Sequence, residues 1–155
     1  MAIQPGQGAP DFCLHGSDGK QHRLADYAGK KLLIYFYPKD NTPGCTKESC
    51  AFAEMHEQLL QMNVRLLGVS KDSLASHDKF ISQFHLPFTL LSDPETTMMQ
   101  EYQAWGEKKM YGKTSIGCIR STVLIDEQGI IIKHWPKVTK AAEHPQQVLD
   151  FLLTL

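Results

Sequence analysis

A short apolar run in the first quarter of the chain limits the possible folds most. Residues 31–37 read Lys-Leu-Leu-Ile-Tyr-Phe-Tyr and lie between Gly29 and Pro38. A continuous apolar run of this length, bounded by turn-forming residues, is typical of a strand that is buried on both faces of a sheet. Such a strand needs a layer of packed structure on each side, so the run predicts the central strand of an α/β domain.

Strand and helix patterns alternate along the rest of the 155 residues. A hairpin is predicted around the Gly-Ser-Asp-Gly turn at 16–19, and a second one around the Glu-Gln-Gly turn at 127–129. The further predicted strands are 64–69 and 88–91, and the predicted helices are 42–62, 73–84, 93–102 and 145–153. This order predicts a mixed central sheet with helices on both faces, which a thioredoxin-like arrangement satisfies. We expect residues 1–155 to form a single domain.

Charge and hydropathy exclude several classes of protein. Lys and Arg together number 16 and Asp and Glu 17, giving a formal charge of −1. Nucleic-acid binders usually carry a basic excess, so no nucleic-acid partner is expected. No apolar run approaches the ~20 residues that span a bilayer, so no membrane partner is expected either. Residues 1–6 do not resemble a signal peptide, which predicts a cytoplasmic protein.

The four cysteines are too few for a disulfide framework in a chain of this length. They are Cys13, Cys45, Cys50 and Cys118. Without an export signal, the cysteines are expected to be reduced, reactive or metal-bound. His56 could join Cys45 and Cys50 as a metal ligand, but the spacing is poor for zinc and a fourth ligand is not evident. We therefore expect no metal site.

Cys45 occupies a position where a thiolate is favoured. It follows the central strand and falls in the first turn of a helix that Thr42 can cap and Pro43 can begin. Unpaired N–H groups and the positive end of the helix dipole stabilise negative charge at such a position. Pro38 and Pro43 restrict the connecting loop, which fits a rigid pocket around a nucleophile.

Cys50 lies five residues after Cys45. If both residues are helical, their Cα atoms are roughly 8.5 Å apart, whereas a disulfide needs less than about 7 Å. A bridge between these two cysteines therefore requires the first turns of the helix to unwind.

Several segments in order resemble the peroxiredoxin family. Pro38-x-x-x-Thr42-x-x-Cys45 resembles the peroxiredoxin active-site pattern. The fuller Thr-Pro-Gly-Cys-Thr at 42–46, with Cys50 five residues after Cys45, resembles the peroxiredoxin Q type, also called bacterioferritin comigratory protein. Further similar segments are 9–12, 35–38, 90–93, 105–106 and 117–122, the last of which contains Arg120.

This resemblance implies a thioredoxin fold and a cysteine-based peroxidase that reduces hydrogen peroxide and organic hydroperoxides. Cys45 would be the peroxidatic cysteine, and Cys50 the resolving cysteine that forms an intramolecular disulfide with it. Thr42 and Arg120 would flank the peroxide, and Pro38 would shield the pocket. Thioredoxin, or a similar dithiol protein, would reduce the disulfide. The resemblance implies no metal, haem or flavin, and we expect a monomer or a weak dimer.

Converting the thiol to a thiolate raises the rate of its reaction with peroxide by less than about 100-fold. Most of the acceleration of this reaction must therefore come from polarising the O–O bond of the peroxide. Arg120, the Thr42 hydroxyl and the N–H groups at the helix start are the candidates. Glu48, one turn after Cys45, is a candidate to orient the arginine.

The sequence leaves two alternative functions to consider, together with the roles of the remaining cysteines. A disulfide oxidoreductase on the same fold is disfavoured because the chain lacks Cys-x-x-Cys. A peroxide sensor that passes its oxidation to a partner would share the first chemical step. We expect no role for Cys13, whereas the closeness of Cys118 to Arg120 leaves a secondary redox role open. The lysines at 108, 109 and 113 are interpreted as a solvated loop.

Overall fold

The computed structural model describes residues 3–155. The strands in this range are β1 (Cys13–Gly16), β2 (Gln21–Arg23), β3 (Lys31–Phe36), β4 (Val64–Ser70), β5 (Thr89–Ser92), β6 (Trp105–Met110), β7 (Lys113–Cys118), β8 (Ser121–Ile125) and β9 (Ile131–Trp135). The α-helices are α1 (Pro43–Gln61), α2 (Leu74–Phe84), α3 (Thr97–Glu101) and α4 (His144–Leu152), and a 3-10 turn covers Leu24–Tyr27. Among residues 3–155, no helix combines the length and the apolar character needed to cross a membrane.

Seven strands form one sheet in the order β2-β1-β5-β4-β3-β8-β9. Strand β3 lies inside this sheet, parallel to β4 and antiparallel to β8. Strands β4 and β5 are also parallel, whereas β1 with β2 and β8 with β9 form the two hairpins at the edges. The predicted mixed sheet and its thioredoxin-like order are confirmed.

Strand β3 is buried on both of its faces, as its apolar run predicts. Successive side chains of a strand point to opposite faces. Leu32, Ile34 and Phe36 therefore join one core cluster, and Leu33 and Tyr35 join the other.

Helices cover both faces of the sheet. Phe52 of α1, Phe80 of α2 and Val148 of α4 pack in the cluster that contains Tyr35. On the opposite face, Met98 of α3 packs in the cluster that contains Phe36. The site described below lies where α1 begins, at the carboxyl end of β3.

The third helix is shorter than the predicted 93–102. Thr96 adopts a left-handed backbone conformation, with φ of 61°, and α3 begins only at the next residue. The Asp93 carboxylate accepts a hydrogen bond from the backbone N–H of Met99 at 2.9 Å, so it caps the helix from outside.

The interpretation of Lys108, Lys109 and Lys113 as a loop is wrong, because they belong to a two-stranded hairpin made by β6 and β7. Tyr111 and Gly112 form its turn, with φ of 53° and 76°. Positive φ at both central residues is typical of a type I′ turn. Most of β7 is exposed, so the segment lacks the apolar alternation by which a strand is predicted from sequence.

Candidate active site

Cys45 is the third residue of α1 and is 1% exposed. The chain leaves the buried strand β3, passes through residues 37–42 and turns into the helix at Pro43. Thr42 stands at the N-cap position with an extended backbone, and its carbonyl accepts the N–H of Thr46 at 2.8 Å. The predicted placement of Cys45 in the first turn of a helix is confirmed.

Arg120 joins the thiol of Cys45 to the carboxylate of Glu48. It lies between β7 and β8, 75 residues after Cys45 in the sequence. Its Nη2 donates to Cys45 Sγ at 3.2 Å, and its Nη1 donates to Glu48 Oε1 at 2.7 Å. One guanidinium group therefore contacts two successive turns of α1.

The buried charges at this site influence one another. Burial raises the pKa of Glu48 to about 7, although the charge and hydrogen bond of Arg120 act in the opposite direction. Glu48 is fully buried, and its Oε2 has no hydrogen-bond partner among residues 3–155. Burial alone would lower the pKa of Arg120, but the negative charges of Glu48 and Cys45 raise it above its usual value. Arg120 therefore stays positively charged beside the sulfur.

Gly44 makes the close approach of Arg120 possible. A Cβ atom at this position would lie 3.2 Å from Arg120 Nη2, which is closer than ordinary van der Waals contact. Gly44 was not predicted to have a role in the site. A glycine inside a predicted helix could have indicated such a role, because glycine is less favourable there than alanine by up to about 1 kcal/mol.

The side chain of Thr42 does not cap α1 as expected. Its Oγ1 donates a hydrogen bond to the backbone carbonyl of Lys39 at 2.9 Å, which closes the loop in front of the helix. Thr42 is half-buried, and its hydroxyl oxygen keeps lone pairs that can accept a further hydrogen bond.

A cavity of about 510 Å³ reaches Arg120 from the surface. Its apolar lining comes from Pro38, Ile119 and Val138, and its charged lining includes Lys108, Lys109 and Lys137. Pro38 is half-buried and lies two residues after the end of β3. The cavity therefore offers a mixed apolar and basic surface beside the guanidinium group.

Cys50 lies in α1 with Cys45, and both are free thiols. Burial and the nearby Glu54 carboxylate raise the pKa of Cys50, so this thiol is protonated at neutral pH while the helix is intact. Because both residues are helical, the spacing argument applies and the structure holds the two sulfurs apart.

The remaining cysteines differ in their surroundings. Cys13 is exposed on β1, where Arg23 Nε donates to its Sγ at 3.5 Å. Cys118 is buried at the end of β7, and burial raises its pKa to about 12. A thiol of this pKa is almost entirely protonated at neutral pH, and thiols react with peroxides as thiolates. Among residues 3–155, no three His, Cys, Asp or Glu side chains are grouped so that they could hold a metal ion.

Known proteins of one family resemble this chain over nearly its whole length. The sequence pattern of the AhpC/TSA family matches residues 5–134. Peroxiredoxin Bcp of Bacillus subtilis is 45% identical over 152 residues, which covers 98% of this chain and 96% of that protein. Peroxiredoxin Bcp of Xanthomonas campestris is 41% identical over 142 residues, covering 92% and 88% of the two chains.

Solved structures give the same result. Peroxiredoxin Q of Xanthomonas campestris is 39% identical with a TM-score of 0.86, covering 92% of this chain and 90% of its own. A variant of Xylella fastidiosa PrxQ is 34% identical with a TM-score of 0.92, covering 99% and 98%. The resemblance to peroxiredoxins of the Q type is confirmed over nearly the whole chain. The protein is a thiol-dependent peroxidase by this relationship, and the chain belongs to the AhpC/TSA family.

Proposed function

We propose that Cys45 is the nucleophile with which this peroxidase reduces hydrogen peroxide and organic hydroperoxides. The observation that carries the proposal is the 3.2 Å contact between Arg120 Nη2 and Cys45 Sγ at the start of α1. A guanidinium group beside the sulfur stabilises both the thiolate and the charge that develops during peroxide cleavage. The comparisons favour neither the sensor nor the disulfide oxidoreductase.

In the first step, the Cys45 thiolate attacks one peroxide oxygen. An S–O bond forms while the O–O bond breaks, and the other oxygen takes a proton and leaves as water or an alcohol. The product is Cys45 sulfenic acid. Arg120 and the free N–H groups of α1 stabilise the negative charge on the leaving oxygen. Glu48 orients Arg120 through the 2.7 Å hydrogen bond.

Thr42 and Pro38 complete the proposed pocket. The Thr42 hydroxyl gives its hydrogen to the carbonyl of Lys39. Its oxygen is therefore left to accept a hydrogen bond from the peroxide O–H, which aligns the substrate. Pro38 shields the sulfur from bulk water and, with Ile119 and Val138, offers an apolar surface to an alkyl group.

In the second step, the Cys50 thiol condenses with the sulfenic acid and water is released, leaving an intramolecular disulfide. The start of α1 must unwind for the sulfurs to meet. A dithiol protein such as thioredoxin then reduces the bond by exchange.

Three wider features belong to the same proposal. Solved structures of the Xanthomonas campestris bacterioferritin comigratory protein concern alkyl peroxide reduction, which supports organic hydroperoxides as substrates here. We propose a cytoplasmic location because all four cysteines are free thiols and the cytosol keeps thiols reduced. We also propose that residues 1–155 act as one domain, as a monomer or weak dimer.

The test counts free thiols in denatured protein before and after one equivalent of hydrogen peroxide. The wild type, which has four cysteines, is expected to lose two thiols within seconds. Cys45→Ser should lose none, and Cys50→Ser should lose one and form a sulfenic acid that dimedone traps. Cys13→Ser is the control and should behave like the wild type. Survival of all four thiols in the wild type would show that the proposal is wrong, and an internal disulfide in Cys50→Ser would exclude Cys50 as the resolving residue.

A further inference from the structure

A buried carboxylate anchors the loop that leads to Cys45. Asp40 is only 6% exposed. Its Oδ1 accepts the Tyr37 hydroxyl at 2.6 Å, and its Oδ2 accepts the Ser76 hydroxyl at 2.8 Å and His77 Nδ1 at 2.7 Å. Its backbone N–H donates to Asp72 Oδ2 at 2.8 Å. Three of these four partners lie in α2 or in the turn that precedes it, so the loop is tied to a second helix.

His77 is fully buried and is held at both ring nitrogens. Nδ1 faces the Asp40 carboxylate, and Nε2 lies 2.9 Å from the carbonyl oxygen of Leu91 in β5. The carboxylate and the carbonyl both offer acceptor oxygens to the ring, so His77 is fixed from two sides. The pair thus connects the loop that leads to Cys45, through α2, to the central sheet.

A buried ion pair adds little net stability compared with apolar packing of the same volume. The main effect of the Asp40–His77 pair is therefore expected to be on the placement of the neighbouring residues, and not on the overall stability of the protein. Removing the His77 ring would leave the buried Asp40 carboxylate without this hydrogen-bond partner, so the arrangement is sensitive to small changes in His77.

The position that the pair fixes is the start of α1. Thr42 follows Asp40 by two residues, and its hydroxyl is bound to Lys39, the residue just before Asp40. Asn41 between them has a left-handed backbone with φ of 59°. Because these residues form one tight turn, holding Asp40 also holds Thr42 and the first turn of α1. Arg120, which contacts the sulfur from the connection between β7 and β8, is positioned by different elements.

We propose that the Asp40–His77 pair positions Thr42 and the first turn of α1 against Arg120, so that Cys45 is correctly placed to attack the peroxide. Neither side chain contacts the sulfur in the structure, so both are positioning residues rather than catalytic ones. The inference rests on the proposed role of Cys45. A displacement of about 1 Å from a reactive geometry lowers a rate by about 100-fold.

Two variants of His77 separate positioning from general stability. In His77→Asn, the amide nitrogen takes the place of Nδ1, which keeps the donor to Asp40 and loses the bond to Leu91. In His77→Gln, the amide nitrogen reaches the place of Nε2, which keeps the bond to Leu91 and loses the donor to Asp40. Each variant therefore keeps one of the two bonds and is the control for the other.

Two quantities are measured: the thermal midpoint of the intact protein, and the single-turnover rate of Cys45 oxidation by hydrogen peroxide. The rate is measured at a temperature at which both variants are folded. Both midpoints should fall. The oxidation rate should fall by about 10- to 100-fold in His77→Gln and stay within about threefold of wild type in His77→Asn. Equal rates in the two variants, whether both normal or both slow, would overturn the proposal. If peroxide does not oxidise Cys45 in the wild type, the proposed function itself is wrong. This outcome differs from equal rates in the two variants, which would overturn only the role of the pair.

If His77→Gln does not fold, Ser76→Ala replaces it. This change removes one hydrogen bond from the same Asp40 oxygen and is expected to slow Cys45 oxidation by about five- to tenfold. A wild-type rate in Ser76→Ala would then overturn the proposal.

Discussion

The phenol oxygen of Tyr35 lies 2.7 Å from Ser49 Oγ, and both residues are completely buried. This bond ties the central strand to α1 one residue before Cys50. Gly68 on the neighbouring strand leaves room for the phenol, because a Cβ there would lie 2.9 Å from the Tyr35 oxygen. Burial raises the pKa of Tyr35 well above its usual value, so it remains a neutral hydrogen-bonding group. In the proposed cycle this bond resists the unwinding that brings Cys50 to Cys45.

Ser49→Ala should therefore speed formation of the disulfide after Cys45 has been oxidised. The variant should lose about 1–3 kcal/mol of stability, because the Tyr35 hydroxyl is left buried without this partner. Rapid-quench thiol counting separates the two steps, and the oxidation step should keep its wild-type rate. Tyr35→Phe breaks the same bond from the other side and should show the same acceleration. Normal resolution rates in both variants would mean that the bond does not restrain the helix.

Arg120→Lys should slow the oxidation of Cys45 by about 100- to 1,000-fold. The planar guanidinium group donates to Cys45 and Glu48 at the same time, and a lysine ammonium group does not reproduce this fork. The measurement is the second-order rate constant with hydrogen peroxide. Arg23→Lys, at an exposed arginine beside Cys13, is the control and should react normally. A rate within threefold of wild type in Arg120→Lys would contradict the assigned role.

Glu48 should make the folded protein less stable as the pH rises. Its pKa is about 7 when folded, against an ordinary value of 4.5, so the folded state binds its proton more tightly than the unfolded chain does. Stability from this group is fully present below about pH 4.5 and is lost as the pH rises through about 7. The loss amounts to about 3 kcal/mol.

Glu48→Gln provides the matched comparison, since its side-chain oxygen can still accept from Arg120. Urea denaturation measures the free energy of unfolding of both proteins as a function of pH. The interval from about pH 5 to about pH 8 covers the folded pKa of Glu48. The free energy of unfolding should fall more steeply with pH in the wild type. Parallel pH profiles would show that Glu48 does not titrate in this range.

Gly44→Ala should lower the rate of Cys45 oxidation about tenfold without destabilising the protein. Alanine favours the helix by up to about 1 kcal/mol, but its Cβ would lie 3.2 Å from Arg120 Nη2 and push the guanidinium group away. Stopped-flow oxidation and a thermal melt measure the two effects. Lys47→Ala, at an exposed position in the same helix, should keep the wild-type rate. An unchanged rate in Gly44→Ala would show that Arg120 adapts freely.

The central strand, the first helix and the position of Cys45 could be predicted from sequence, because each depends on local periodicity and turn-forming residues. Arg120 was identified only through the family resemblance, since no local pattern says that a residue far along the chain returns to the cysteine. The Asp40–His77 pair was missed for the same reason, because a buried ion pair depends on which elements the fold brings together.

The shared helix of Cys45 and Cys50 has a consequence for the driving force of the proposed cycle. The reduced protein has an intact α1, whereas the disulfide form must leave its first turns unwound. Folding of those turns therefore stabilises the reduced form relative to the oxidised form, and a disulfide whose reduced state is stabilised is a stronger oxidant. Each hydrogen bond that secures the start of α1 thereby raises the reduction potential of the pair, and local folding energy favours the return of the enzyme to its thiol form.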